Sequence, residues 1–306
     1  MILTTMRRFL AMSFLACVCF FGVGGSQSVQ AQDNEPITIA LTAAFVSEKG
    51  VDVYEELGEY LEKKTGLQIE FVSGLSYSTI NSLVESGTAQ IAFVCGYPYV
   101  LAHDGKDNAS VGLLAAPVNA GALYKGEPKY YSYVIVKKDS PITKFEDLKG
   151  KTWVYNDEIS NSGYNMPRAK MVSIGETDGF FDKVVKSGSH EESIRMVGSG
   201  EAHASAVDSL VLDYALAENE SYASQVKIIE TLGPAGVPPV IYSTSMPEEK
   251  MQKIKQALLG MKDDPEGQAI LKKAHLSSFI EVDDKNYDDI RTMADMAQQA
   301  GFMEIE

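Results

Sequence analysis

Strands and helices alternate along most of this 306-residue chain. Short apolar runs such as "PITIAL" and "AQIAFV" are typical of buried strands. Stretches with helical spacing, such as "VDVYEELGEYLEKKTG", separate them and often end on a glycine, as at Gly66 and Gly87. Strands separated by helices predict an α/β fold in which right-handed crossovers join the strands.

The first 31 residues have the layout of a secretory signal peptide. A basic start with Arg7 and Arg8 precedes an apolar run, and small and polar residues then lead to "VQA", which predicts cleavage near Ala31. The remaining sequence contains no stretch long and apolar enough to span a membrane. We therefore expect an exported, periplasmic protein.

The order of the segments predicts two lobes with a ligand cleft between them. Residues 32–132 and 241–306 are expected to form the first lobe, and residues 133–240 an inserted second lobe. The strands "YYSYVIVKK" and "VPPVIYSTS" would carry the chain between the lobes. From "PEEKMQ" onward the pattern is mostly helical.

The charge and the cysteines limit the partners. With 27 basic and 42 acidic residues the net charge is −15, which argues against nucleic acid or an anionic membrane surface as partner. A small anion is still compatible, because backbone N–H groups and hydroxyls can hold it in a buried site. Two of the three cysteines lie in the signal segment, so Cys95 is left as a lone thiol without a disulfide partner.

The run "SNSG" follows the apolar stretch "KTWVY" and precedes a helical segment. A helix N-terminus presents unpaired N–H groups and a partial positive charge. Ser160, Asn161 and Ser162 would add side-chain donors, and Gly163 would allow a ligand to approach the backbone closely. The same run also fits an ordinary helix N-cap formed by Ser160 or Ser162, and the motif alone leaves both interpretations open.

Other polar residues lie just past a strand or at the start of a helix, where ligands bind in open α/β sheets. These residues are Tyr77, Tyr99, His190 and Asp208. Ordinary packing of the tyrosines and helix capping by His190 are the structural alternatives.

The sequence lacks the usual signatures of an enzyme. It contains no "GxSxG", "HExxH" or "GxxxxGK[ST]" pattern, and its histidines are scattered. We therefore expect no catalytic activity, no cofactor and no metal. A periplasmic hydrolase remains the alternative from another class, because His190, a serine of the "SNSG" run and Asp208 could form a triad.

Four segments resemble the phosphate/phosphite/phosphonate-type periplasmic solute-binding proteins of ABC transporters. They are "SYSTINSLVESGTAQIAF", "CGYPYVLA", "FEDLKGKTWVYNDEISNSGYNMP" and "GSHEESIRMVGSGEAHASAVDS". The third is similar to the stretch in which the family's Ser-Thr-Ser-Gly run holds phosphonate oxygens. The resemblance covers nearly the whole mature chain and implies a two-lobed, type II-like clamshell with the ligand in the inter-lobe cleft.

The resemblance also implies a ligand, a partner and site residues. The ligand would be a small oxyanion (phosphonate, phosphite or phosphate), the partner would be a transporter permease, and we expect a monomer. Asn161 replaces the family's usual Thr, and residues 234–239 lack the extra acid of aminoalkylphosphonate binders. The residues implied to contact the oxyanion are Tyr77, Tyr99, Ser160, Asn161, Ser162 and His190, with Asp208 contacting a more distal part of the ligand.

Cys95 lies four residues before Tyr99 and opens a second interpretation within the same fold. Some relatives sense ligands for membrane histidine kinases, and arsenite-binding relatives use a cysteine near this site. An arsenite- or other oxyanion-sensing partner of such a kinase is therefore the alternative, with Cys95 as a thiol contact. A buried, inert cysteine at a strand end is the simpler explanation.

Overall fold

The structure, a computed structural model, describes residues 35–42, 51–105 and 110–306. The predicted signal peptide lies outside these residues. Pro36–Glu306 form one unit, which contains all the elements given below.

The described strands occur in the chain order expected of an α/β protein. They are β1 (Ile37–Thr42), β2 (Ile69–Leu75), β3 (Ile91–Phe93), β4 (Val111–Asn119), β5 (Lys129–Lys137), β6 (Thr152–Tyr155), β7 (Lys183–Lys186), β8 (Ala204–Asp208), β9 (Val226–Gly236), β10 (Val240–Ser243) and β11 (Leu276–Ile280).

Helices separate many of these strands. The described α-helices are α1 (Val51–Thr65), α2 (Tyr77–Glu85), α3 (Gly96–Asp104), α4 (Met166–Ser173), α5 (His190–Ser199), α6 (Ser209–Ala217), α7 (Glu248–Gly260), α8 (Pro265–Lys273) and α9 (Asp288–Gln299). Short 3₁₀ turns occur at Ala122–Tyr124, Phe145–Leu148, Ala223–Gln225, Met261–Asp263 and Asp284–Tyr287, and a π-helical turn at Asn161–Asn165 precedes α4. Within the described residues, none of the helices combines the length and the apolarity that a membrane crossing requires.

The strands form two mixed sheets. The first sheet has the order β11-β4-β10-β3-β1-β2, with β1 parallel to β2 and β3, and with β10 antiparallel to both β3 and β4. The second has the order β7-β6-β8-β5-β9, with β6 parallel to β7 and β8, and β5 antiparallel to β8 and β9. These sheets and their helices confirm the predicted α/β class.

The chain passes between the sheets just before β5 and just before β10. Strand β5 lies in the second sheet and β10 in the first. The passages therefore fall in residues 120–128 and 237–239, rather than along the strands themselves as the sequence suggested. The division into lobes at residues 132 and 240 stays a prediction.

Aromatic side chains anchor the strand that leads to the "SNSG" run. Trp153 of β6 is fully buried, and its ring stacks on Phe181 with 4.9 Å between the centroids. Phe145 stacks on Phe180 at 5.7 Å in the same cluster. Aromatic pairs contribute about 0.5–1.5 kcal/mol each beyond their burial, so the end of β6 has a rigid support.

Candidate functional site

The "SNSG" run forms the start of the helical segment that continues into α4. The Ser160 side chain is the N-cap, since its Oγ accepts a hydrogen bond from the Gly163 N–H at 3.1 Å. The Asn165 N–H donates to the Ser160 carbonyl at 3.0 Å and closes the π-helical turn, a feature that is frequent at functional sites. The N-cap interpretation is thus correct for Ser160, but it leaves the burial of the other side chains unexplained.

Polar residues from both sheets meet at this turn and are buried there. We call this group the polar cluster. Each member is at most 3% exposed, so an anion bound among them would lose its contact with water. The members are Tyr77, Cys95, Tyr130, Asn156, Ser160, Asn161, Ser162, His190 and Asp208.

Hydrogen bonds connect cluster residues that follow, or lie in, strands of different sheets. Asn156, just after β6, donates from Nδ2 to the Tyr77 hydroxyl at 3.0 Å. The Asn161 backbone N–H donates to the Cys95 sulfur at 3.4 Å, and Asn161 Nδ2 donates to the Tyr130 hydroxyl at 2.9 Å. Because Tyr77 and Cys95 follow strands of the first sheet, the cluster joins the two sheets.

His190 is held as a neutral ring with a defined direction. Burial lowers the pKa of His190 to about 3, so its ring is uncharged at neutral pH. Its Nδ1 accepts a hydrogen bond from the Asp208 backbone N–H at 3.4 Å, which assigns the proton to Nε2. The Nε2 atom lies 3.3 Å from Ser162 Oγ, so the ring directs a donor toward the "SNSG" run.

Asp208 is the acidic member of the cluster. Burial raises the pKa of its carboxyl to about 7, and the nearby Asp213 carboxylate adds to the shift. Its Oδ1 accepts the Leu210 N–H at 2.8 Å and so caps α6. Asp208 therefore keeps its proton to a higher pH than an exposed aspartate does.

The other titratable members are neutral. Burial raises the pKa of the Cys95 thiol to about 11 and holds the pKa values of Tyr77 and Tyr130 well above their usual range. Hydroxyl, amide and imidazole groups, together with the helix N-terminus, thus form the hydrogen-bonding surface of the cluster. Such a surface can bind an oxyanion through neutral donors.

Tyr99 has a different environment. Its hydroxyl donates to Asp284 Oδ1 at 2.7 Å, and its ring packs against Tyr287 with 4.8 Å between the centroids. The structure therefore directs its polar atom to the C-terminal segment rather than to the polar cluster. Its implied contact with the ligand stays a prediction.

Tyr130 and Asn156 were missed by the sequence analysis. Asn156 directly follows β6, so the strand-end rule that selected the other residues could have found it. Tyr130 lies inside β5, where nothing in the local pattern distinguishes it.

Asn156 explains why the "SNSG" run needs a glycine, and its side-chain oxygen lacks a hydrogen-bond partner. A Cβ at position 163 would overlap with Asn156 Oδ1, so the close packing there requires Gly163. Within the described residues, Asn156 Oδ1 is buried without a hydrogen-bond partner. An unpaired buried amide oxygen is costly, which indicates that this side chain has a partner in another state of the site.

The comparison with known proteins agrees with this picture. The family model of the periplasmic phosphonate substrate-binding protein of ABC transporters matches residues 39–287, and the chain belongs to this family. It is 32% identical over 185 residues to the phosphate-import protein PhnD of Mycolicibacterium smegmatis, which covers 58% of this chain and 53% of that protein. The matched stretch thus spans about half the length of this curated relative.

Further relatives cover more of the chain. It is 25% identical over 248 residues to the phosphonates-binding periplasmic protein of Escherichia coli, covering 79% of this chain and 70% of that one. The solved structure of a binding protein component of an ABC phosphonate transporter from Pseudomonas aeruginosa matches with a TM-score of 0.79, at 21% identity and over 88% of each chain. This likeness confirms the predicted two-lobed α/β fold of periplasmic binding proteins.

Proposed function

We propose that this chain captures a small phosphate-like anion (phosphonate, phosphite or phosphate) in the periplasm for an ABC transporter. The observation that carries the proposal is the fully buried "SNSG" turn, which meets His190 and the Tyr130 hydroxyl, while the Tyr77 hydroxyl is held by the neighbouring Asn156. The family membership supports the same role. It does not favour the hydrolase or the arsenite sensor.

The burial of the cluster implies that the protein must open to admit a ligand. Tyr77 and Cys95 follow strands of the first sheet, whereas the "SNSG" turn and His190 belong with the second. Separation of the two sheets, with bending at residues 120–128 and 237–239 close to the predicted lobe boundaries at 132 and 240, would expose the cluster. The closed monomer would then dock on the permease, after export and cleavage near Ala31.

A thermal-shift screen of oxyanions tests the proposal. Methylphosphonate, phosphite or phosphate should raise the melting temperature, because a ligand at a hundredfold excess over its Kd stabilises the folded state by about 2.7 kcal/mol. Sulfate and chloride are the control anions. Steady turnover of a phosphate ester, or a response to arsenite with none to the phosphorus oxyanions, would contradict it.

His190→Ala is expected to weaken anion binding by about 1.5–3 kcal/mol, the range for a hydrogen bond to a charged group. The reason is that the ring directs its Nε2 proton toward Ser162, where the anion would lie. Titration calorimetry gives the affinity, and thermal unfolding without ligand gives the stability. His190→Gln, which keeps an N–H donor, should recover part of the affinity. A variant that loses stability but keeps its affinity would assign His190 a purely structural role.

Cys95→Ser is expected to keep the affinity for a phosphate-like ligand within about tenfold, roughly 1.4 kcal/mol. The thiol is neutral and accepts the Asn161 N–H, a bond that a serine oxygen can also accept. Calorimetry with methylphosphonate and with arsenite measures the difference. If the serine variant lost arsenite binding while the wild type ignored phosphorus oxyanions, the sensor interpretation would replace the proposal.

A further inference from the structure

We propose that Asn165 and Arg168 are positioning residues of the anion site, which fix the Tyr130 hydroxyl as a hydrogen-bond donor to the bound anion. This inference rests on the proposed function, because it concerns how a group at the anion site is oriented. It is carried by a chain of buried side chains, which we call the relay. Its members are Arg168, Asn165, Asn161 and Tyr130.

The relay is a continuous series of hydrogen bonds. Arg168 Nη2 donates to Asn165 Oδ1 at 3.2 Å, and Asn165 Nδ2 donates to Asn161 Oδ1 at 3.0 Å. Asn161 Nδ2 then donates to the Tyr130 hydroxyl oxygen at 2.9 Å. Arg168 is 6% exposed and the other three residues are fully buried, so bulk water has little access to these bonds.

The neighbours of Asn165 fix the direction of the relay. A guanidinium group can only donate, so the Asn165 amide must turn its oxygen toward Arg168. On its other side, Asn165 Nδ2 also faces the Ile290 carbonyl at 3.2 Å, and a carbonyl can only accept. Two independent neighbours thus impose the same orientation on this amide.

This orientation passes through Asn161 to Tyr130. Because Asn165 presents an N–H group, Asn161 accepts it with Oδ1 and has its Nδ2 left to donate to Tyr130. The Tyr130 hydroxyl therefore cannot donate its own proton back to Asn161. Burial raises the pKa of Tyr130 well above its usual range, so the hydroxyl keeps this proton and can donate it to an anion.

The Tyr130 hydroxyl lies at the "SNSG" turn, to which Asn161 itself belongs. Ser132, two residues further along β5, donates from Oγ to the Ser162 carbonyl at 2.7 Å, so this face of the strand is turned toward the run. The side chains of Ser162 and Cys95 lie beside the Tyr130 hydroxyl. Without the relay, Asn161 could turn its oxygen toward Tyr130 and take up the proton that the anion needs.

The C-terminal segment holds the first member of the relay. Arg168 Nη1 donates to the Met303 carbonyl at 2.9 Å, and the guanidinium lies 5.7 Å from the centre of the Tyr164 ring. The Tyr164 hydroxyl in turn accepts the Ile305 N–H at 3.0 Å. These hydrogen bonds of Arg168 go to neutral oxygens, and its positive charge polarises the relay in the direction of donation.

The test is a double-mutant cycle on the affinities for methylphosphonate, phosphite and phosphate, measured by calorimetry. Asn165→Leu keeps the size of the side chain but removes its amide, and it should weaken binding about tenfold, which corresponds to about 1.4 kcal/mol. Tyr130→Phe should weaken binding at least as much. The double variant should bind no more weakly than Tyr130→Phe alone, because the relay acts through that hydroxyl. Additive losses would mean that Asn165 acts by another route, and they would overturn the proposal.

Arg168→Met is the second variant, and it leaves the amide of Asn165 in place. It should weaken binding in the wild type but not in the Tyr130→Phe background. Lys170→Met is its matched control, because Lys170 lies on the same helix at 5.7 Å from the centre of the Phe145 ring but is hydrogen-bonded to Glu230. Equal losses in both variants would assign the effect to the lost charge and not to the relay.

Asn81→Leu controls for the loss of a buried amide as such. Asn81 Nδ2 donates to the Pro98 carbonyl at 2.9 Å and lies outside the relay. This variant should lower the stability of the protein and keep its affinity for the anion. If it weakened binding as much as Asn165→Leu does, the effect would be a general loosening of the fold, and the relay would be overturned.

The outcomes separate the two proposals. If the wild type binds one of the three anions and Asn165→Leu binds it with the same affinity, the relay fails while anion capture stands. If the wild type binds none of them, the proposed function fails, and the relay fails with it.

Discussion

Ser162→Asp is expected to abolish binding of a phosphate-like anion. The side chain is fully buried, and its Oγ lies 3.3 Å from His190 Nε2, at the start of the helical segment. A carboxylate there would repel the ligand by about 4 kcal/mol if the charges are about 4 Å apart at an effective dielectric constant of about 20. That energy corresponds to roughly a thousandfold loss of affinity.

Ser162→Asp should reduce the stability of the folded protein much less than it reduces the affinity for the anion. A carboxylate near a helix N-terminus is stabilised by the helix dipole. Ser132 Oγ donates a hydrogen bond to the Ser162 carbonyl at 2.7 Å. This contact involves the main chain of Ser162, so it does not depend on the side chain at position 162. Circular dichroism and thermal unfolding without ligand would establish that the variant is folded.

Ser162→Asn is the matched control, because asparagine has nearly the size of aspartate without its charge. It should lose much less affinity than the aspartate variant. If calorimetry gave the two variants the same affinity, the effect would come from size and not from charge. Wild-type affinity in Ser162→Asp would remove Ser162 from the site.

The sequence predicted the parts of the fold that depend on local patterns. Apolar strands and helices that end on glycine gave the α/β class. Strands β7 and β11 were not predicted, and both are short strands at the edge of a sheet. An edge strand such as "KVVK" pairs on one side only, so it needs no long apolar run and produces only a weak signal.

The sequence selected candidate site residues by one rule, that they follow strand ends or begin helices. That rule selected Ser162, His190 and Asp208, which the structure brings together. It could not foresee that the Tyr99 hydroxyl donates to Asp284, because this contact joins residues 185 positions apart. The burial that sets the pKa values also depends on distant segments, so the protonation states could not be derived from the sequence.

Asp208→Asn is expected to stabilise the ligand-free protein at pH 8 by about 2–4 kcal/mol and to have little effect near pH 4. Burial raises the pKa of Asp208 from 3.8 to about 7, so the folded protein holds this proton more tightly than the unfolded chain. The associated stability is fully present below pH 3.8 and is lost as the pH rises through about 7. Asparagine does not titrate, and its oxygen can still cap the Leu210 N–H.

The titration of other residues in the polar cluster should not affect the stability difference between the wild type and Asp208→Asn. The pKa of His190 is lowered to about 3, so its stabilising contribution is present above its usual pKa and is lost as the pH falls toward 3. This contribution is expected to be similar in the wild type and the variant, and it then cancels in their difference. The pKa of the Cys95 thiol, about 11, lies above the range of the experiment.

Urea unfolding at pH 4, 6 and 8 would measure the difference, and Asp264→Asn provides a control of opposite sign. Asp264 is also a helix N-cap, with its Oδ1 accepting the Glu266 N–H at 3.0 Å, but its side chain is solvent-accessible and the Lys64 ammonium lowers its pKa. Its contribution is therefore present at high pH and is lost in acid, so Asp264→Asn should destabilise the protein at pH 8.

If Asp208→Asn also destabilised the protein at pH 8, the Asp208 carboxylate would be a favourable group in the folded protein. The polar cluster would then have to hold an anion beside a carboxylate that is already fully charged near neutral pH, and Asp208 would cause no change of affinity with pH there.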